Sequence, residues 1–104
     1  MYTLYRGTNS CIKTTLKNLP TTVDNYNYKY EIRINKLFGE ILLSLDNEDM
    51  SFEDDVVKIH IKTEHTLSLL TGKYIHELRI IGEKTDIVFQ EELELKPEIT
   101  TGNL

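Results

Sequence analysis

The stretch "LLTGKYIHELRII", residues 69–81, opens with an apolar pair, breaks at a Thr-Gly step and continues as a run that places Tyr74, His76, Leu78 and Ile80 on one face. A period of two is that of an extended strand with one side on a core. The segment before it, "TEHTLSLL" at 63–70, does not alternate. Thr63 stands there as an N-cap, and Leu67 and Leu70, three apart, fit a single helical turn. So short a turn has no stability of its own. It therefore reads as a link that crosses from one sheet to another and lays Leu67 or Leu70 on the core.

Outward from this corner the same period recurs. Tyr28, Tyr30, Ile32 and Ile34 alternate with Lys29, Glu31 and Arg33, and Val57, Ile59 and Ile61 alternate with Lys58, His60 and Lys62. Ile87, Phe89, Leu93 and Leu95 share a parity that Glu91 interrupts, the mark of an edge position or a bulge near the middle of a long strand. Tyr2 to Tyr5, Cys11 to Leu16, and Glu40 to Leu45, with Ile41, Leu43 and Leu45 on one side, complete the set. "RGTN", "LPTTVDNYN", "KLFGE" with Gly39 at positive φ, and "GEKTD" are turn signals between them, and the short joints make neighbours antiparallel.

This pattern predicts an all-β, immunoglobulin-like antiparallel β-sandwich of seven or eight strands with one short helical turn. It occupies residues 1–98, and 99–104 form a polar C-terminal tail or the start of a linker. In such sandwiches a tyrosine at the start of a late strand bonds its hydroxyl to upstream backbone and fixes the crossover. Leu70, Gly72 and Tyr74 have the setting for that corner. The alternative is an ordinary strand tyrosine.

At these residues the chain resembles the N-terminal immunoglobulin-like domain of the baseplate upper proteins of tailed phages that infect Gram-positive bacteria. The resemblance covers nearly the whole chain: "YRGTN", "YKYEIRINKLFGEILLSLDNED", "VVKIHIKTEHTLSLLTGKYIHELRI" and "TDIVFQEELELKPEIT". It is carried above all by the strand Val57 to Lys62, the leucine-bearing turn Thr63 to Leu70, and Gly72 with Tyr74. "LKNLPTTVDNYN" is less regular than the family's linker, and longer members continue into further domains. The resemblance implies a virion role without catalysis, in the phage tail and made in the bacterial host cytoplasm. Its expected partners are other tail or baseplate proteins, with homo-oligomers among the assemblies.

Bulk properties narrow the alternatives. At 104 residues the chain fits one domain, and its formal charge of -5 opposes contact with nucleic-acid backbones. No run approaches the 18 apolar residues of a membrane span, so no membrane insertion is expected. The opening residues lack the apolar core of a secretory signal. Cys11, the single cysteine, is expected as a buried or half-buried structural thiol.

The acidic stretch "DNEDMSFEDD", residues 46–55, offers oxygen ligands of the kind calcium takes, but Ser51 stands where a calcium loop needs glycine. It reads as a solvated loop between strands or as a contact for a basic partner surface, with Asp46, Glu48, Asp49, Asp54 and Asp55 as interface candidates. His60, His65 and His76 lack zinc-site spacing, and they read as a strand position, a surface turn and a hydrogen-bonded core-edge histidine. Neighbouring carboxylates such as Glu91 and Glu92 point to opposite faces of a strand and cannot oppose each other across a cleft. Catalytic residues, a metal site and a cofactor are therefore not expected. The row Tyr26, Tyr28 and Tyr30 suits either a core row or a sugar-stacking surface, the latter giving a carbohydrate- or cell-surface-binding alternative. Tyr26 at its rim, with Tyr2 and Tyr5 near the start, is an interface candidate.

Overall fold

Burial along the chain follows the alternation. In the computed structural model, which describes residues 1–17, 19–35, 39–82 and 84–98, the strands are β1 (Tyr2–Tyr5), β2 (Ser10–Thr15), β3 (Asn27–Ile34), β4 (Ile41–Leu45), β5 (Met50–Glu53), β6 (Val56–Ile61), β7 (Gly72–Ile81) and β8 (Asp86–Lys96). One helical turn, α1 (Thr63–Leu67), and two 3-10 turns, Val23–Asn25 and Asn47–Asp49, join them. The tail 99–104 and Lys36–Phe38 of the "KLFGE" turn lie outside the described residues, and with Phe38 the torsion on which the positive φ expected of Gly39 depends.

Two sheets form the sandwich, one of five strands in the order β1-β8-β7-β3-β4 and one of three in the order β2-β6-β5. Pairing is antiparallel except between β1 and β8, which run parallel with Tyr2 opposite Leu93 and Leu4 opposite Leu95. The expectation of a wholly antiparallel sandwich is corrected there: first and last strands have no short joint to force them antiparallel. The inward residues make one core that includes Leu4, Ile12, Tyr28, Tyr30, Ile32, Ile59, Leu78 and Leu93. Tyr28 of the larger sheet meets Phe52 of the smaller, ring centroids 5.5 Å apart.

Two bulges shift what parity alone assigns. One lies between Ile32 and Arg33 on the β3–β4 pairing and sets Ile41 opposite Arg33. The other, between Leu78 and Arg79, sets Ile87 opposite Arg79. An extra residue flips every side chain beyond it to the other face, so Ile41 (48% exposed) and Ile87 (57%) point outward rather than onto the core. The interruption foreseen at Glu91 occurs at Val88 instead.

The acidic stretch is likewise not a single loop. Asp46 accepts the Glu48 N–H at 3.0 Å and caps the 3-10 turn, β5 follows, and Asp54 (φ 53°) turns the chain into β6. Met50 and Phe52 supply the apolar side of β5, too short an alternation to stand out among so many acids. Cys11 is exposed, contrary to expectation. Ile12 takes the inward place on β2, opposite Ile59, and leaves Cys11 outward beside His60.

Candidate functional site

The crossover into β7 is built from three segments. Tyr74 is buried, and its hydroxyl donates to the Leu70 carbonyl. The tyrosine corner is therefore present, with Gly72 at φ 146°, a conformation that side-chain-bearing residues rarely adopt. No atom lies within 4 Å of where a Gly72 Cβ would be, so backbone conformation rather than space calls for glycine. The leucines behave differently from expectation. Leu69 is buried, whereas Leu67 is 44% and Leu70 81% exposed. Thr66 and Leu69 share the inward side of the turn, leaving the Leu70 carbonyl to serve the corner while its side chain points away.

The β1–β2 turn, "RGTN", holds α1 at both ends. Asn9 Oδ1 accepts the Thr63 N–H at 2.9 Å and the Thr63 hydroxyl at 3.2 Å. The N-terminal cap thus comes from another loop, because Lys62 at the cap position has no side-chain oxygen to offer. Thr63, expected as the cap, is the first helical residue. Gly7 N–H donates to Thr66 Oγ1 at 2.8 Å. Arg6 donates through Nε to the Leu69 carbonyl at 2.8 Å and through Nη2 to the Leu67 carbonyl, and it pairs with Glu98. A cation on the last carbonyls of a helical turn is favourable. Gly7 (φ 75°) also lets this turn approach closely, since a Cβ there would lie 3.1 Å from Leu67 Cδ2.

On the core side of the larger sheet, His76 and Tyr30 are fully buried. His76 Nδ1 lies 2.9 Å from the Tyr30 hydroxyl, and Nε2 lies 3.1 Å from Glu91 Oε1 at the partly open sheet margin. A carboxylate only accepts, so Nε2–H donates to Glu91 and Nδ1 accepts from Tyr30. Burial holds the His76 pKa below its ordinary value, against the opposing pull of Glu91. The contact is accordingly a hydrogen bond from neutral imidazole rather than an ion pair. Burial also drives the Tyr30 hydroxyl well above its ordinary pKa. A phenol so placed is no nucleophile, although the Tyr–His–Glu order mimics a catalytic relay.

The other candidates separate. His60 meets Ser51 at 2.7 Å on the far face of the smaller sheet, and His65 Nδ1 accepts the Lys62 N–H at 2.9 Å. Among the described residues no group of three His, Cys, Asp or Glu could hold a metal ion. Glu91 and Glu92 point apart as expected, Glu92 reaching Asn35 at 3.3 Å. Asp46, Glu48 and Asp49 lie at one end of β5, and Asp54 and Asp55 at the other. In the tyrosine row, Tyr28 and Tyr30 are core, and burial with the charge of Asp24 nearby pushes Tyr28 to about 12, its hydroxyl donating to the Val23 carbonyl at 2.7 Å. Tyr26 is half-buried against Tyr28. Tyr2 packs on His76 with centroids 5.6 Å apart, while Tyr5 is 38% exposed.

Sequence reasoning missed the outer face of the larger sheet. There Glu31 and Glu77 are directly opposite each other, yet only 5% and 3% exposed. Arg33 Nη2 lies 2.8 Å from Glu31 and 2.6 Å from Glu77, and Arg79 Nη2 lies 2.6 Å from Glu31. Arg79 Nε is 3.6 Å from Glu77, a charge contact too long for a hydrogen bond. Two like charges facing each other repel, and the diagonal arginines turn that repulsion into a closed ring. The alternation of charge in "EIR" and "ELR" was the available signal.

These features define the class: an eight-stranded immunoglobulin-like β-sandwich with a tyrosine corner. In antibody-type domains the inter-sheet cysteine stands two residues after the corner tyrosine. Here that position is His76, hydrogen-bonded rather than bridged. No protein-family model matches the chain, and no curated protein matches it.

Proposed function

We propose that this chain is a non-enzymatic assembly module that works by protein–protein contact, as the resemblance to baseplate upper proteins implies, in the tail of a phage virion and made in the host cytoplasm. One observation supports the contact role above others. The exposed apolar side chains Ile41, Ile81 and Ile87 share one outer sheet face rather than lining a cleft, and apolar groups gathered on one face are a feature of interaction surfaces. The polar groups best suited to chemistry, His76 and Tyr30, are meanwhile engaged in holding the core. A carbohydrate-binding role draws less support, since Tyr28 and Tyr30 face inward and leave Tyr26 without a stacking row.

The deciding experiment is peptide mass spectrometry of purified phage particles and of the remaining lysate from the source bacterium. Recovery of this chain in tail or baseplate fractions, in fixed ratio to other structural proteins, is the expected result. Recovery solely outside the particles overturns the reading.

A further inference from the structure

The outer face of the five-stranded sheet carries a pattern that a merely solvated face does not need. Around the Glu31–Arg33–Glu77–Arg79 ring, the register places Ile75 and Ile41 on either side of Arg33, and Ile87 beside Arg79. Ile81 extends the same side of β7, opposite Asn27. Ile41 and Ile87 reach this face because of the two bulges. Bulges re-aim side chains and are over-represented at sheet edges and beside functional sites. Two independent bulges each turn an isoleucine out of the core and toward the same surface.

The ring prepares this surface for covering. Interface centres are depleted in bare charge and enriched in arginine and apolar groups, because stripping water from an unpaired ion costs more than a contact returns. Glu31 and Glu77 are already desolvated beneath the two guanidinium groups, whose side chains remain 25% and 28% exposed. A partner laid on this face thus meets arginine planes and isoleucines, with the carboxylates neutralised before it arrives.

Charge selects the partner. The chain carries -5 overall, so two copies approaching by most routes repel. This face escapes that excess of negative charge: the ring is neutral, Lys73 stands opposite Glu94, and Lys29 and Lys96 against Glu92 leave the face one positive charge. Five strands spaced about 4.8 Å apart, over about eight residues of about 3.4 Å each, project roughly 650 Å². That approaches the about 800 Å² each side contributes to a specific complex. We infer that this chain forms a two-fold dimer through the outer face of its five-stranded sheet, the isoleucines of each copy packing around the arginine–glutamate ring of the other. Such isologous closure is the commonest way for identical subunits to associate. The inference rests on the contact-making role proposed above, but not on the phage assignment.

Sedimentation equilibrium on the full chain, at concentrations up to about 1 mM, tests it. The expected result is a monomer–dimer equilibrium that Ile41→Ser and Ile87→Ser each weaken about tenfold. Leu70→Ser, at a more exposed leucine away from this face, should leave the equilibrium unchanged. Both isoleucines are exposed and lie on different strands, so circular dichroism should show each variant folded. A chain monomeric throughout that range overturns the inference. So does a dimer indifferent to both isoleucine variants, or one that Leu70→Ser disrupts. A monomer recovered from virions leaves the assembly role standing without this interface, and a dimer absent from virions does the reverse.

Discussion

Tyr30 and Glu31 are chain neighbours on β3, as His76 and Glu77 are on β7, yet the two pairs build different polar clusters on opposite sides of one sheet. Inward, Tyr30, His76 and Glu91 form a chain of neutral donors ending at a carboxylate near water. Outward, Glu31 and Glu77 are paired with the guanidinium groups of Arg33 and Arg79. A single pleat separates them. Inside, a charge would lose its hydration and the Glu91 carboxylate returns only part of that loss, so the histidine stays neutral. Outside, the guanidinium groups keep part of their hydration while covering the carboxylates, and the ring is tolerated. The same strand pair thus shows how far burial, rather than residue type, decides the state of a polar group.

Substitutions that break one cluster and spare the other sharpen the contrast. Tyr30→Ala removes a buried ring together with the partner of His76 Nδ1 and is expected to cost about 3–5 kcal/mol in urea unfolding. Glu77→Ala leaves two arginines facing one carboxylate. The loss of a partner from a buried pair costs about 3–5 kcal/mol, and the arginines' partial exposure lowers the expectation to about 2–3 kcal/mol. If Glu77→Ala proves the more damaging of the two, the partial exposure of the arginines does not relieve the lost pairing as argued.

Acid separates the clusters without substitution. The folded His76 pKa lies below the unfolded value of about 6.5, so the unfolded chain binds the proton more readily. The histidine's contribution is fully present above that pH and declines as pH falls below it, by at most about 1.4 kcal/mol per unit. Unfolding midpoints measured from pH 8 to 5 should show this decline, and His76→Gln, which keeps a donor and an acceptor but does not titrate, should flatten it. At the corner, Tyr74→Phe removes one hydrogen bond and is expected to cost about 1 kcal/mol. Asn9→Ala, which uncaps α1 from a distance, should cost about as much or slightly less by the same assay.

The sandwich itself was legible because alternation is a local property. Tyr28 to Ile34 and Tyr74 to Ile80 carry their burial in the order of their residues, and the Tyr74 corner followed from Gly72 and the non-alternating turn before it. β5 was hidden because Met50 and Phe52 sit among six acids, where composition outweighs a four-residue strand. Cys11 and the leucines of 67–70 were misplaced because one step of phase decides which neighbour goes inward. Ile41 and Ile87 were misplaced because a bulge belongs to the pairing of two strands and is written in neither alone.

What the residues dictated by themselves was extended backbone with one apolar side, broken at glycines that allow the turns. Tertiary structure decided the rest: that Asn9 and Arg6 hold a helical turn about sixty residues away in sequence, that a histidine stands where antibody-type sandwiches place a bridge, and that four charges close into a ring. Each joins groups distant along the chain. Their proximity follows from packing, which strand propensity does not encode, and their energies depend on the water that packing excludes.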